Sequence, residues 1–173
     1  SGQVSQLDLE KAGPVRVTCE VAALLEPEPT EATEKIRSAR LDAKPYWHIE
    51  RSRIGDSRRV PVELVVNGYV AATEEIEADG ELNELSFDVD IPYSSWVAVR
   101  ILPSVHTNPI YVQVDGQPIR ASRRSAEWCQ EAVEVCWESK KGQIREDERA
   151  AAKAAYDAAA EIYAARAAEA VAD

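Results

Sequence analysis

Hydrophobic and polar residues alternate along most of the first 120 positions of the chain. The alternating segments are 15–25, 60–66, 85–91 and 110–114. A period of two is typical of a β-strand that buries one face. A more continuously apolar segment, 96–102, predicts a strand in the centre of a sheet. About seven short strands at this spacing predict a mainly β fold, an immunoglobulin-like antiparallel β-sandwich over residues 1–120.

Three dipeptides indicate turns between these strands. Asn67-Gly68 separates two hydrophobic runs and is the strongest hairpin signal, because both residues tolerate the positive φ that a two-residue turn requires. Asp79-Gly80 and Asp115-Gly116 indicate further turns.

Other stretches of the β region depart from this alternation. Residues 1–12 are predicted to be an irregular lead-in. The charged stretch 27–45 has no clean period and is predicted to be a surface loop. A short helix over about 30–40 is the alternative, because Thr30 can cap it. The aromatic run 46–49 is predicted to begin another strand.

The pattern becomes helical after Ser122, and residues 121–173 are predicted to form a helical C-terminal extension. Apolar residues recur at helical spacing within 123–140, and Gly142 lies just beyond that segment. Residues 146–172 are rich in alanine, the residue of highest helix propensity. Together the two segments predict a two-helix hairpin.

Composition narrows the class of protein. The net charge is −11, whereas nucleic-acid-binding proteins usually carry a basic surplus, so we expect no nucleic-acid partner. No apolar run approaches the ~20 residues of a membrane helix, so we expect no membrane partner. No signal peptide is visible, and the compartment stays open. The chain has no methionine. We therefore expect an excised or processed fragment of a longer polypeptide.

The residues that could carry chemistry form no catalytic pattern. His48 and His106 each stand alone, and the three cysteines lack metal-site spacing. We therefore predict no metal, no cofactor and no catalytic residue in this chain. Asp88 and Asp90 share one face of a strand. A glycosidase pair is one interpretation, and two solvated carboxylates is the one we prefer.

Basic and aromatic clusters each allow two interpretations. The basic clusters are Arg51, Arg53, Arg58 and Arg59, and then Arg120, Arg123 and Arg124. They could capture an anion, but pairing with the abundant acidic residues is the preferred interpretation. The aromatic residues are Tyr46, Trp47, Tyr93 and Trp96. They could form a platform on which a sugar stacks, although we expect Trp47 and Trp96 to be core residues.

Three short motifs resemble a known enzyme family. They are VELVVNG at 62–68, SWVAVR at 95–100 and HTNPIYV at 106–112. In this order, and with AEW at 126–128, they are similar to the C-terminal region of CehA/McbA-type metallohydrolases. That family belongs to the PHP (polymerase and histidinol phosphatase) superfamily. The resemblance covers roughly residues 58–137, and the long insertion before it and the alanine-rich helix after it depart from the family pattern.

The family carries its metal ligands in an upstream domain. The resemblance therefore implies a non-catalytic accessory domain of a larger metallohydrolase. Its partner would be the upstream catalytic domain of the same polypeptide, or a second copy in a homo-oligomer. Its roles would be domain packing, cleft shaping or oligomer contacts.

Two other hypotheses stay open. One is a carbohydrate- or ligand-binding β-sandwich module, and the other is a free-standing enzyme whose pocket unites a histidine with carboxylates. The candidate ligand or interdomain contacts are Trp47, His48, Arg100, His106, Thr107 and Asn108. We expect Arg100 to be buried and bonded to the loop that holds Thr107 and Asn108.

Overall fold

The structure, a computed structural model, describes residues 5–172. The chain divides into two compact units, Ser1–Gln117 and Pro118–Asp173. The first unit, called here the β unit, is rich in strands. The second, called here the helical unit, contains two long helices. The fold is therefore β-rich with a C-terminal helical part.

The described part of the β unit contains eight strands. They are β1 (Gln6–Leu9), β2 (Gly13–Val21), β3 (Arg59–Val66), β4 (Tyr69–Glu77), β5 (Asn83–Ile91), β6 (Ser95–Ile101), β7 (Val105–His106) and β8 (Ile110–Val114). The larger sheet has the order β1-β8-β6-β3-β4, with β7 beside β6. The smaller sheet pairs β2 with β5. The alternating segments thus form strands as predicted, and the apolar segment 96–102 supplies the central strand β6.

One strand pair departs from the predicted antiparallel arrangement. β1 runs parallel to β8, whereas the other strand pairs are antiparallel. Two backbone bonds flank this pair, because Tyr111 N donates to Ser5 O and Asp115 N donates to Leu9 O. The predicted irregular lead-in is therefore wrong at Gln6–Leu9. The strand is short and adds to a partner distant in sequence, so no local turn signal announces it.

The buried core draws side chains from both sheets. The smaller sheet contributes Val15, Phe87 and Ile91. The larger sheet contributes Val60, Val62, Leu64, Ile76, Val97, Val99, Ile101 and Val112. Because side chains alternate between the two faces of a strand, the remaining positions of β6 lie on the opposite face of the larger sheet.

The charged stretch 27–45 contains a helix, so the preferred loop prediction is wrong and its alternative is right. Helix α1 spans Glu31–Ser38. Thr30 caps it, because Thr33 N donates to Thr30 Oγ1 at 3.2 Å and Thr30 N donates to Thr33 Oγ1 at 2.8 Å. These reciprocal bonds satisfy backbone donors that the first turn leaves without partners.

The strand predicted at 46–49 is also wrong. The chain instead turns into a 3-10 helix at Ile49–Ser52. The Arg51 guanidinium donates to the carbonyl oxygens of Ala39, Arg40, Ala43 and Pro45. These bonds fold the preceding segment around one side chain, so it cannot extend along a sheet.

The predicted turns form with the expected backbone. Asn67 and Gly68 have φ of 51° and 93°, and Asp115 and Gly116 have φ of 52° and 63°. At Asn67-Gly68, positive φ at both central residues matches the right-handed twist of β3 and β4, which this turn joins.

The helical unit contains α2 (Arg123–Lys140) and α3 (Glu146–Ala168), which pack against each other. Ser122 caps α2, since its Oγ accepts a bond from Ser125 N at 3.1 Å. A 3-10 turn at Lys141–Gln143 joins the helices. Arg123 N donates to Ala172 O and Val171 N donates to Arg120 O, so the C-terminal end pairs with the segment before α2. Within the described residues, no helix has the length and apolar character needed to cross a membrane.

Candidate functional site

A groove of about 410 Å³ lies on the face of the larger sheet that is turned away from the core. We call it the sheet groove. Its walls and floor are Val65, Trp96, Ala98, Arg100, His106, Thr107, Pro109 and Tyr111. Three of the six residues singled out in the sequence, Arg100, His106 and Thr107, therefore meet at one site.

The alternation of β6 explains why the groove has its lining. Ser95, Val97, Val99 and Ile101 are buried, and Trp96, Ala98 and Arg100 are half-buried on the other face. Strand register sets their neighbours, because Trp96 pairs with Tyr111 and Ala98 pairs with Val65. The small Ala98 thus forms a low floor between larger side chains.

An ion pair closes one end of the sheet groove. In the register, Glu63, Arg100 and His106 form a row across β3, β6 and β7. Arg100 Nε donates to Glu63 Oε2 at 2.6 Å. Both side chains are partly exposed, at 28% for Arg100 and 21% for Glu63. The charge of Arg100 is therefore balanced, and the end of the groove is polar without a net charge from this pair.

The expectation that Arg100 is buried and bonded to the 107–108 loop is wrong. Its hydrogen bond goes to Glu63, because register sets that carboxylate directly beside it. The loop is held instead by Thr107. Thr107 N donates to Val99 O at 2.9 Å, and Thr107 Oγ1 accepts from Val99 N at 3.1 Å. Asn108 follows it as an exposed residue.

His106 presents an acceptor nitrogen. Its Nδ1 lies 3.0 Å from Thr107 O. A carbonyl oxygen only accepts, so Nδ1 carries the proton in the neutral ring and Nε2 is left as an acceptor. Arg100, the residue of β6 that pairs with His106 in the sheet register, supplies hydrogen-bond donors beside it.

The β3–β4 turn supports Trp96. Asn67 Oδ1 accepts a bond from Trp96 N at 3.0 Å, and Asn67 Nδ2 donates to Ser95 Oγ at 3.0 Å. A Cβ atom added at Gly68 would lie 4.0 Å from Trp96 Cζ2. The turn residues that the sequence predicts therefore also hold the backbone of Trp96 in place beside the groove.

Trp47 and His48 lie elsewhere, in the segment that precedes the 3-10 helix. Trp47 is 56% exposed and makes an edge contact with Tyr46 at 4.9 Å between ring centroids. It is not the core residue that we expected, because the surrounding segment folds around Arg51 at the surface. His48 caps the 3-10 helix, since its Nδ1 accepts a bond from Glu50 N at 3.1 Å.

The first arginine cluster holds the fold together. Arg53 and Glu50 are fully buried and form two hydrogen bonds, of 2.5 Å and 3.1 Å. Arg53 also donates to Ser57 O and Glu26 O. Arg58 Nε donates to Leu25 O. These bonds tie segment 49–58 to residues 25–26, in the segment that follows β2, so these arginines stabilise the fold of the protein.

The aspartate pair on β5 is a surface feature. Arg16 on β2 forms two bonds with Asp88, of 2.8 Å and 3.1 Å. The hydrogen bond from Arg16, and then its charge, hold the pKa of Asp88 below its ordinary value. The side chains of Arg16 and Asp88 are about two-thirds exposed, in agreement with the preferred interpretation of a solvated carboxylate.

A second groove, of about 460 Å³, runs between α2 and α3. We call it the helical groove. It is lined by Trp128, Cys129, Ala132, Val133, Cys136, Ala155, Tyr156, Ala159 and Tyr163. Its only polar contact across the helices is Cys136 Sγ with Tyr156 Oη at 3.6 Å, among the described residues. This bond raises the pKa of the Tyr156 hydroxyl.

Among residues 5–172, no group of three or more His, Cys, Asp or Glu side chains could hold a metal ion. His48 caps a 3-10 helix and His106 lines the sheet groove, so the two histidines do not share one site. Comparisons of the chain with protein-family models, with curated proteins and with solved structures find no match.

The sequence indicated part of the sheet groove and missed the rest. Tyr111 was overlooked because its pairing with Trp96 depends on the register of β6 and β8. The signal that could have found it is alternation: Val97 beside Trp96 and Val112 beside Tyr111 are apolar and buried, which places the two aromatics on the opposite face.

Proposed function

We propose that the chain is a non-catalytic accessory module of a larger PHP-type metallohydrolase of the CehA/McbA kind. Its helical groove receives the catalytic domain of the same polypeptide. The module packs against that domain and shapes its substrate cleft, and the chain itself contributes no metal ligand. The motifs at 62–68, 95–100 and 106–112 motivate the assignment to this family.

The proposed fold of the β unit is an immunoglobulin-like β-sandwich. The core cluster supports it, because Val15, Phe87 and Ile91 of the smaller sheet belong to one cluster with Val62 and Val97 of the larger sheet. Two sheets that share one core form the layered arrangement of a sandwich.

The helical groove is the observation that carries the proposed role. α2 has 18 residues and none of them is buried. Trp128 in the groove is 67% exposed. Another surface that covers an apolar helix face of this kind would stabilise it, because helices in proteins gain most of their stability from tertiary packing.

The proposal is tested on the reading frame that encodes the chain. We expect a His- and Asp-rich metal-binding domain upstream of residue 1. The complete polypeptide, purified and analysed for metal by mass spectrometry, should hold stoichiometric metal, and the 173-residue chain should hold none. A reading frame without such a domain, or metal bound by the chain alone, would contradict the proposal.

A further inference from the structure

We infer that the sheet groove is a binding site for a neutral carbohydrate, with one sugar ring against Trp96 and Tyr111 and its hydroxyl groups on Arg100, Glu63 and His106. The site lies in the β unit and is independent of the docking role proposed for the helical unit. Of the four aromatic residues that the sequence offered as a platform, it contains Trp96, which lies on the outward face of the larger sheet and not in the core as expected.

The aromatic side of the groove suits a sugar ring. Trp96 and Tyr111 are cross-strand neighbours, and Tyr111 is 46% exposed. Among the aromatic contacts of residues 5–172, none joins these two rings to each other. Neither ring is therefore covered by the other, and the small Ala98, two residues along β6 from Trp96, leaves depth beside them. Amphipathic rings of this kind provide an apolar surface with a polar edge.

The polar side of the groove suits hydroxyl groups. Arg100 uses only Nε in its bond to Glu63, and within the described residues its two terminal nitrogens have no protein partner. His106 Nε2 is an acceptor beside them. The Trp96 indole N–H and the Tyr111 hydroxyl likewise have no protein partner in that part of the chain. A sugar hydroxyl both donates and accepts, so it can use this mixture of groups.

The charge of the site favours a neutral ligand. Glu63 balances Arg100 at 2.6 Å, so an anion would have to compete with a carboxylate that is already in place. The net charge of the chain, −11, also repels anions.

The dimensions of the groove favour a short sugar over an extended peptide. Its volume of about 410 Å³ falls within the usual range for small-molecule sites. Trp96 and Arg100 lie four residues apart on one strand, or about 13 Å, which is enough for a disaccharide. The Glu63–Arg100 pair crosses that end of the floor, where a proline-rich peptide in an aromatic groove would need to continue.

Titration followed by NMR tests the site. The four tryptophan indole N–H signals, from Trp47, Trp96, Trp128 and Trp137, are assigned with Trp→Phe variants. Cellobiose, maltose, lactose and mannobiose are then added to the full chain up to about 10 mM, a range that reveals millimolar dissociation constants. At least one disaccharide should shift the Trp96 signal and leave the other three in place, and glucuronate should bind more weakly.

Variants complete the test. Tyr111→Ala should weaken binding of the active disaccharide by about tenfold or more, which corresponds to the loss of one stacked ring. Trp96→Ala removes the reporter signal, so its binding is followed through the backbone amide of Tyr111 and should weaken to a similar extent. Trp128→Ala, in the helical unit, is the matched control and should leave binding unchanged. No shift of Trp96 with any of the four sugars, a shift caused by a polyproline decamer instead, or unaltered binding by Tyr111→Ala would overturn the inference.

Discussion

Glu50 and Arg53 form an ion pair that is almost completely buried in the β unit. Both side chains are removed from water and joined by two hydrogen bonds. Breaking such a pair leaves a buried charge without compensation, whereas an exposed pair contributes little. The two kinds of ion pair in this protein should therefore respond very differently to the same substitution.

Glu50→Gln should lower the free energy of unfolding by about 3–5 kcal/mol, because Arg53 stays buried without its carboxylate. Glu75→Gln is the matched control. It breaks the bond of Arg59 to a half-exposed carboxylate and should cost less than about 1 kcal/mol. Urea denaturation of both variants measures the difference, and equal losses would show that the buried pair is not a structural anchor.

Asp88 should titrate below its ordinary pKa of 3.8, and Arg16→Gln should bring its pKa back toward that value. A carboxyl with a lowered folded-state pKa adds stability above its ordinary pKa, and this contribution is lost as the pH falls through the lowered value. The variant should therefore be less stable than the natural chain near neutral pH, with the difference vanishing in acid. Carboxyl carbon NMR against pH measures the shift, and an unchanged titration in Arg16→Gln would contradict it.

At the scale of single elements, the β3–β4 turn links the fold to the sheet groove. Asn67 combines a φ of 51° with two side-chain hydrogen bonds to β6. Glycine at this position tolerates the positive φ but loses the two side-chain bonds. Alanine also loses these bonds, and in addition its Cβ atom disfavours the positive φ. The two variants thus separate the contributions of backbone and side chain.

Asn67→Gly should lower the free energy of unfolding by about 1–3 kcal/mol through the two lost bonds. Asn67→Ala should cost about 1 kcal/mol more, because a Cβ atom disfavours positive φ. Thermal and urea denaturation provide the comparison. If the two variants are equally stable, positive φ at residue 67 is not a constraint on the turn.

The elements that were predictable are those that local chemistry determines. Alternation predicted β2, β3 and β5, the Asn67-Gly68 dipeptide predicted the turn between β3 and β4, and alanine content predicted α3. The segment 46–49 was not predictable, because the bonds of Arg51 to four carbonyl oxygens decide its path. The edge strand β1 depends in the same way on a partner that is remote in the chain.

The candidate site, like the fold, could be predicted only in part from the sequence. The motifs at 95–100 and 106–112 contain Arg100 and His106, and both side chains line the sheet groove. Their geometry, however, follows from register. Glu63 rather than the 107–108 loop binds Arg100, and Tyr111 joins the groove through its pairing with Trp96. Register depends on how the strands pair in the assembled sheet, so it cannot be predicted from any single segment of the sequence.

At the scale of the whole molecule, apolar surface remains uncovered in both units. The smaller sheet has only two strands within the described residues, and Val17, Cys19, Leu85 and Val89 pack against the core while only partly buried. Partial burial raises the pKa of the Cys19 thiol. In the helical unit, α2 has no buried residue. Both features fit a module whose surfaces are completed by another part of a larger protein.

The central proposal, docking of a catalytic domain in the helical groove, is tested most directly by calorimetric titration of the chain with the proposed upstream metal-binding domain. We expect a one-to-one complex. Ala132→Glu, inside the groove, should weaken it by about tenfold or more, because the new carboxylate is buried without a partner. Val135→Glu, exposed on the same helix and outside the groove, should not. No complex, or equal affinity for the two variants, would contradict the account.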